Sequence, residues 1–287
     1  MGWPVEHSLS PRMHNAAFRA LGLNYAYVPL PVAPGRIEEA VRGLAALGFA
    51  GANVTVPHKT AVLPYLDELS PVVRAIGAAN TLVVRPDGRI LGDNTDVYGF
   101  MTDLRESGWP AGSPCDCRAL VIGAGGAARA VAYGLLQAGA TVTVASRSFD
   151  RAIELCTTLG RAAASVELPA AGRLSAHHFP EELASLAPRA DLIVNATSLG
   201  LHVGDDPLPW DPTVPFHHHQ YVYDLVPLAS PTGETPFLAL AASKGARILS
   251  GLGMLVHQGA RAFEMWTGMQ APVEVMREAL GCGQRET

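Results

Sequence analysis

The sequence predicts an α/β chain of two domains, and three observations predict it. At 287 residues the chain is longer than one core comfortably supports. Apolar strand patterns alternate with amphipathic helical ones, the arrangement of βαβ units around a parallel sheet. Midway, an apolar strand pattern runs into Gly123-Ala124-Gly125-Gly126-Ala127-Ala128 and then into a helical pattern, the setting of a phosphate-binding βα turn.

Taken in order, Pro11 starts a helix with Ser10 as its expected N-cap. Residues 24–32, NYAYVPLPV, and 49–56, FAGANVTV, read as strands flanking a helix over about 35–47. Residues 81–94 read as a hairpin turning at Pro86-Asp87-Gly88. A helix follows from about Asp96 to Ser107, closed by Gly108 and Pro110. Residues 118–147 are strand, glycine turn, helix and strand; 190–200, 220–226 and the segment ARILSG give further strands, and 252–267 and 272–280 two closing helices. Seven of the 22 prolines fall between 207 and 236, so much of that region is expected to be loop.

Composition narrows the function. Charged residues are 16% and hydrophobic ones 48%, which excludes a disordered chain. The net charge is −5 and no Lys/Arg run is present, which argues against nucleic acid or an anionic membrane as the partner. Residues 119–145 are apolar but carry Arg129 and Gln137 and resolve into strand, turn and helix, so no membrane span is expected. No signal-peptide pattern opens the sequence. Cys115, Cys117, Cys156 and Cys282 are too scattered for a disulfide framework or a zinc site, and the reading is a reduced, cytoplasmic protein acting on a small molecule.

The glycine turn matches G-x-G-x-x-G/A, with Gly123 at the tight turn, Gly125 where backbone approaches a pyrophosphate and Ala128 where helix packs on strand. The helix start then offers free N–H groups to phosphate. The bland alternative is a structural turn. At the end of the next strand, where an NAD site carries an acid, the chain has Ser146, Arg147 and Ser148, with Arg151 a turn later. Two guanidiniums suit a 2'-phosphate, so NADP is the expected cofactor; surface arginines opening a helix are the alternative.

The polar segments are more unusual. GANVTVPHKT, residues 51–60, sets Asn53 and Thr55 at alternate strand positions, facing one cleft, and Lys59 beyond the end. Lys59 is one of two lysines, against many arginines, which points to chemistry. Ser8 and Ser10 precede a helix, Asn80 precedes the hairpin and Asp96 opens the next helix, where capping is the ordinary explanation for each alone.

Together these segments resemble the shikimate dehydrogenase family over nearly the whole chain. The resemblance rests on H-S-x-S-P-x-x-H-N at 7–15, N-V-T-V-P-H-K at 53–59, G-A-x-N-T at 77–81 and G-D-N-T-D at 92–96. It continues through G-A-G-G-A at 123–127, N-A-T-S at 195–198 and G-L-G-M-L-V-x-Q at 251–258. It implies reversible reduction of 3-dehydroshikimate to shikimate with NADPH, by a cytoplasmic monomer or homodimer. It also implies a substrate-binding α/β domain of residues 1–96 plus 251–287, and a doubly wound Rossmann-type NADP domain of residues 97–250 inserted within it. By the same resemblance Lys59 and Asp96 are the catalytic pair. Ser8 and Ser10 take the substrate carboxylate, and Thr55, Asn80 and Gln258 join Asp96 on the hydroxyls. Gly123, Ala124, Gly125, Gly126, Ala127, Ser146, Arg147, Ser148, Arg151, Thr197, Leu225 and Gly251 line the cofactor.

Two departures stand out. Family members begin with an extra strand, of which only Met1-Gly2-Trp3-Pro4 stands here, so either the chain start is mis-assigned or a sheet strand is truncated. After Tyr223-Asp224 the family carries a further tyrosine where this chain has Pro227, which predicts weaker carboxylate recognition or a donor from the following loop. His217, His218 and His219 lie among prolines without acidic or cysteine partners, and no metal is expected. His7, His14 and His58 are assigned supporting roles. A quinate/shikimate dehydrogenase is the alternative, disfavoured by the missing acid near 146–148. A non-catalytic ligand sensor is another, disfavoured by the presence of both Lys59 and Asp96.

Overall fold

The computed structural model describes residues 1–109, 116–165, 173–199, 208–226 and 234–281. The expectations placed on Pro110, Cys115, Pro227 and Cys282 lie outside the described residues. The chain divides into two compact units, one of Met1–Gly99 with Leu255–Thr287 and one of Phe100–Met254.

The first unit opens with α1 (Ser10–Ala20) and α2 (Ile37–Ala46), followed by β1 (Gly51–Asn53), β2 (Glu68–Leu69), α3 (Pro71–Ile76), β3 (Thr81–Val84) and β4 (Ile90–Asp93). Its sheet has the order β1-β3-β4-β2, with β3 antiparallel to β1 and β4, and β2 parallel to β4. Val41 and Leu44 of α2 pack with Val54, Val62, Val73 and Leu82 in its core. Register positions the polar groups: Asn53 pairs with Thr81 and Thr81 with Asp93, which brings three distant segments side by side.

Two local expectations need correction. Residues 24–30 carry no strand assignment, and only the bridge Gly2–Pro31 marks that stretch as sheet-like. Pro29 and Pro31 lack the N–H a ladder requires, so apolar alternation alone did not make a strand. The 49–56 pattern likewise shortens to three strand residues, because Pro57 turns the chain away. Met1–Trp3 still hydrogen-bonds on both sides, Met1 and Trp3 to the 53–56 segment and Gly2 to Leu30 and Val32. Ser10 is not the N-cap of α1. Leu9 holds that position without a side-chain cap, and the Ser8 hydroxyl accepts the Ser10 N–H.

The helix α4 (Asp96–Glu106) leads out of the first sheet. The second unit then runs β5 (Arg118–Ile122), α5 (Gly126–Gln137), β6 (Thr141–Ser146), α6 (Phe149–Ser165), β7 (Leu174–His178), α7 (Leu183–Leu186), β8 (Leu192–Asn195), β9 (Tyr221–Asp224), α8 (Pro236–Ser243) and β10 (Arg247–Ser250). The sheet is parallel throughout, in the order β10-β9-β8-β5-β6-β7. Strand order therefore reverses between β5 and β8, the switch point at which doubly wound sheets bind ligands beyond their strand ends. β8 and β9 are buried along their whole length, as strands covered on both faces must be. The helices α9 (Leu252–Thr267) and α10 (Val273–Ala279) close the chain. Cys117 is disulfide-bonded, against the expectation of reduced thiols, since a fold can pair cysteines whose spacing carries no such signal. Among the described residues no helix is long and apolar enough to cross a membrane.

Candidate active site

In the first unit four of the expected residues form one hydrogen-bonded group. Lys59 Nζ lies 2.5 Å from Asp96 Oδ2, and Asn80 Nδ2 donates to Asp96 Oδ1 at 2.8 Å and to Gln258 Oε1 at 3.3 Å. Asn80 Oδ1 accepts from the Thr95 N–H at 2.7 Å and the Thr81 hydroxyl at 2.9 Å, which fixes the amide so that its nitrogen faces Asp96. Asp96 does not cap its own helix: Asn94 Oδ1 takes the Asp96 N–H, and both carboxylate oxygens remain for Lys59 and Asn80. Lys59 is held from behind through its carbonyl, which accepts from the Ala79 N–H.

Asn53 joins this group as support and does not face a cleft with Thr55. Its Nδ2 donates to Asn80 O and Thr81 Oγ1, both at 3.2 Å, while its Oδ1 accepts from the Tyr27 hydroxyl at 2.9 Å. Thr55 is exposed and its methyl packs where a side chain on Gly2 would lie. Ser8 is exposed and Ser10 half-buried. Sequence reading missed Tyr27. Its only signal was a place in a strand-like run, whereas its partners lie 12 and 26 residues away. His58 is buried and bonds Val32 O at 2.7 Å, a structural tie. His14 is fully buried with neither ring nitrogen hydrogen-bonded, and burial holds its pKa down at about 3.

The second unit carries the remaining expected residues at the ends of β5, β6, β8, β9 and β10. Gly123 has φ +111°, and a side chain there would meet Ala196 O at 3.1 Å and the Thr197 methyl at 3.2 Å, so glycine is required. Gly125 caps α5 with φ −83°, and a Cβ there would meet nothing within 4 Å, so open space fronts the helix start. Ala124, Gly126 and Ala127 complete the turn and the first residues of α5. Ser146 ends β6, and its hydroxyl accepts the Ser148 N–H; Arg147 is exposed in that turn and Arg151 exposed on the first turn of α6. Thr197 is held by Asn195, whose Oδ1 accepts from its N–H and hydroxyl. Leu225 N donates to Asn195 O, and Gly251 lies so close that a Cβ would be 2.7 Å from Leu225 O.

Asp224, not expected in a role, anchors this rim. Its carboxylate accepts from Asn195, the Val226 N–H and the N-cap Thr235 of α8, while burial raises its pKa against those hydrogen bonds. With donors on both oxygens and no cationic partner in that set, it braces the loop that carries Leu225.

Three family models match the chain: a shikimate dehydrogenase substrate binding domain over residues 1–82, a shikimate/quinate 5-dehydrogenase over 111–203, and a shikimate 5'-dehydrogenase C-terminal domain over 251–280. A shikimate dehydrogenase (NADP(+)) of Moorella thermoacetica is 49% identical over 291 residues, covering 98% of this chain and 92% of the relative. The chain belongs to the shikimate dehydrogenase family. Among solved structures, the shikimate 5-dehydrogenase of Thermus thermophilus in complex with NADP(H) and shikimate is 38% identical, with a TM-score of 0.79 over 97% of this chain and 96% of that one. The quinate dehydrogenase of Corynebacterium glutamicum in complex with NAD is 31% identical, with a TM-score of 0.82 over 97% of this chain and 95% of that one.

Proposed function

We propose that this member of the family is an NADP-dependent shikimate dehydrogenase that interconverts 3-dehydroshikimate and shikimate, with Lys59 and Asp96 as its catalytic pair. The observation that carries the assignment is the Lys59–Asp96 contact at 2.5 Å, with Asn80 on the other carboxylate oxygen. In this reading the unit of Met1–Gly99 and Leu255–Thr287 takes the substrate and that of Phe100–Met254 takes the cofactor. Gly123, Ala124, Gly125, Gly126 and Ala127 would hold the pyrophosphate, and Ser146, Arg147, Ser148 and Arg151 the 2'-phosphate. Thr197, Leu225 and Gly251 would line the nicotinamide half.

NADPH, when bound, supplies the hydride. As the substrate carbonyl becomes an alkoxide, Lys59 gives it a proton, and Asp96 keeps the lysine aimed while balancing its charge. Ser8 and Ser10 hold the substrate carboxylate. Thr55, Asn80, Asp96 and Gln258 meet its hydroxyls, so analogues that leave those groups unpaired are rejected. The family resemblance also supports a cytoplasmic monomer or homodimer. The test is turnover of shikimate and quinate, each with NADP and NAD, followed by nicotinamide absorbance. Shikimate with NADP is expected to give the highest kcat/KM. Faster turnover of quinate with NAD would replace this reading with the catabolic one, and no turnover with any pair would reject catalysis.

A further inference from the structure

The last residues of four neighbouring strands stand in one row: Ile122 of β5 pairs with Asn195 of β8, Asn195 with Asp224 of β9, and Asp224 with Ser250 of β10. The two in the middle are polar and closed off from water, Asn195 at 0% and Asp224 at 1% exposure. A buried carboxylate that the proposed reaction does not use costs desolvation, so its partners say what it is kept for. Asp224 Oδ1 accepts from Asn195 Nδ2 at 2.8 Å and from the Val226 N–H at 3.1 Å, and its Oδ2 accepts from the Thr235 hydroxyl at 2.6 Å. The first of these bonds orients the Asn195 amide. With its nitrogen spent on Asp224, its Oδ1 faces the following loop and accepts from the Thr197 N–H at 3.0 Å and the Thr197 hydroxyl at 2.7 Å. Thr197 Oγ1 accepts in turn from the Leu199 N–H at 3.2 Å, and Asn195 O accepts from the Leu225 N–H at 3.0 Å. One carboxylate therefore sets the loops after β8 and β9 together.

Close backbone packing carries that setting outward along the row. A Cβ on Gly123 would lie 3.1 Å from Ala196 O and 3.2 Å from the Thr197 methyl, and one on Gly251 only 2.7 Å from Leu225 O. Loops packed this tightly have no slack in which to absorb a shift. On the same edge a Cβ on Gly125 would meet nothing, which suits a cofactor that must approach the main chain closely. We propose that Asp224 is a positioning residue for the nicotinamide half of the cofactor: acting through Asn195 and not by contact, it fixes where Thr197 and Leu225 stand.

The inference rests on the reading in which Thr197, Leu225 and Gly251 line that half, and its consequence is a split between two ligands. One is NADP; the other is adenosine 2',5'-bisphosphate, which keeps the 2'-phosphate and lacks the nicotinamide. Calorimetric Kd values are measured first for wild type, and failure of either ligand to bind would reject the cofactor site as read and this inference with it. Given binding, Asp224→Ala is expected to raise Kd for NADP about tenfold, the scale of one lost hydrogen bond, and to leave Kd for the bisphosphate within about twofold. Asp224→Asn can keep every link, its Oδ1 accepting from Asn195 and Val226 and its amide donating to Thr235, and should recover NADP binding. Equal losses with both ligands, or no loss with NADP, would overturn the role. So would an Asp224→Asn variant no better than Asp224→Ala, since the charge and not the placement would then be what counts. Should Asp224→Ala fail to fold, Thr235→Val, which removes the donor to Oδ2, decides. An NADP Kd raised about threefold with the bisphosphate unmoved upholds the role, and an unmoved NADP Kd refutes it.

Discussion

Lys59 Nζ stands 2.5 Å from Asp96 Oδ2 in a pair whose side chains are 14% and 5% exposed. The carboxylate is therefore nearly out of water and depends on its partners. Lys59→Ala and Lys59→Met should each lower kcat by about 10² to 10⁴, the scale of lost acid–base catalysis, with a smaller change in KM. Lys59→Met also strands Asp96, so its unfolding free energy should fall by up to about 3–5 kcal/mol. Adding Asp96→Asn should restore much of that stability without restoring turnover. Near-normal kcat in Lys59→Met with a sharply raised shikimate KM would make Lys59 a binding residue.

Arg147 is exposed immediately after β6, where the chain has no acid. Arg147→Ala should weaken kcat/KM with NADP by about 1.5–3 kcal/mol, the scale of a hydrogen bond to a charged group, and leave NAD use nearly unchanged. Equal losses with both cofactors would show that the guanidinium does not read the 2'-phosphate.

The two glycines of the βα turn should separate stability from binding. A side chain at Gly125 meets nothing within 4 Å, so Gly125→Val should melt close to wild type. It should raise KM for NADP by roughly tenfold or more, a loss of about 1.4 kcal/mol. Gly123→Ala forces φ +111° on a residue with a Cβ and should cost about 1–3 kcal/mol of stability before any cofactor is added. Denaturant unfolding of both variants, with and without NADP, checks the contrast.

His14 sets an acid limit on the first unit. Its folded pKa, lowered to about 3 by burial, lies below the ordinary 6.5. The unfolded chain therefore binds a proton that the folded one refuses. Stability from this residue is complete above pH 6.5 and is lost as pH falls toward 3, by about 2 kcal/mol between pH 6.5 and 5. Unfolding free energies of wild type and His14→Phe, measured at both pH values, should differ in pH dependence by that amount. Parallel curves would mean that the imidazole reaches water.

Local signals served where the structure is local. The β5–α5–β6 segment was legible because apolar runs, glycines and a helical pattern lie within thirty residues, and the dense polar motifs placed Lys59, Asp96, Asn80 and Gln258 on the list. The short β2 and α3 and the half-exposed β7 gave no periodicity to read. Residues 24–32 misled because alternation takes no account of donors, and Pro29 and Pro31 remove two. Ser10 misled because its capping pattern is real in sequence, while in space the helix starts one residue earlier, with Leu9 at the cap and the Met13 N–H on Leu9 O. Tyr27 was invisible for a related reason: its contacts join it to α1, β1 and α9, segments far apart in sequence that only the fold brings together.

The division of the chain also sets a schedule for its synthesis. Residues 100–254, one whole compact unit, are translated before Leu255, the first residue of the segment that completes the other unit. At ~5–20 residues per second that interval lasts about 10 to 30 s. During it, residues 1–99 have left the ribosome without Phe263, which stacks on Phe18, and without the Trp266 indole, which donates to Leu82 O. The later-encoded unit can therefore finish first, while the segment bearing Lys59 and Asp96 waits with an apolar face uncovered. That interval is when a nascent-chain chaperone would matter most to this protein.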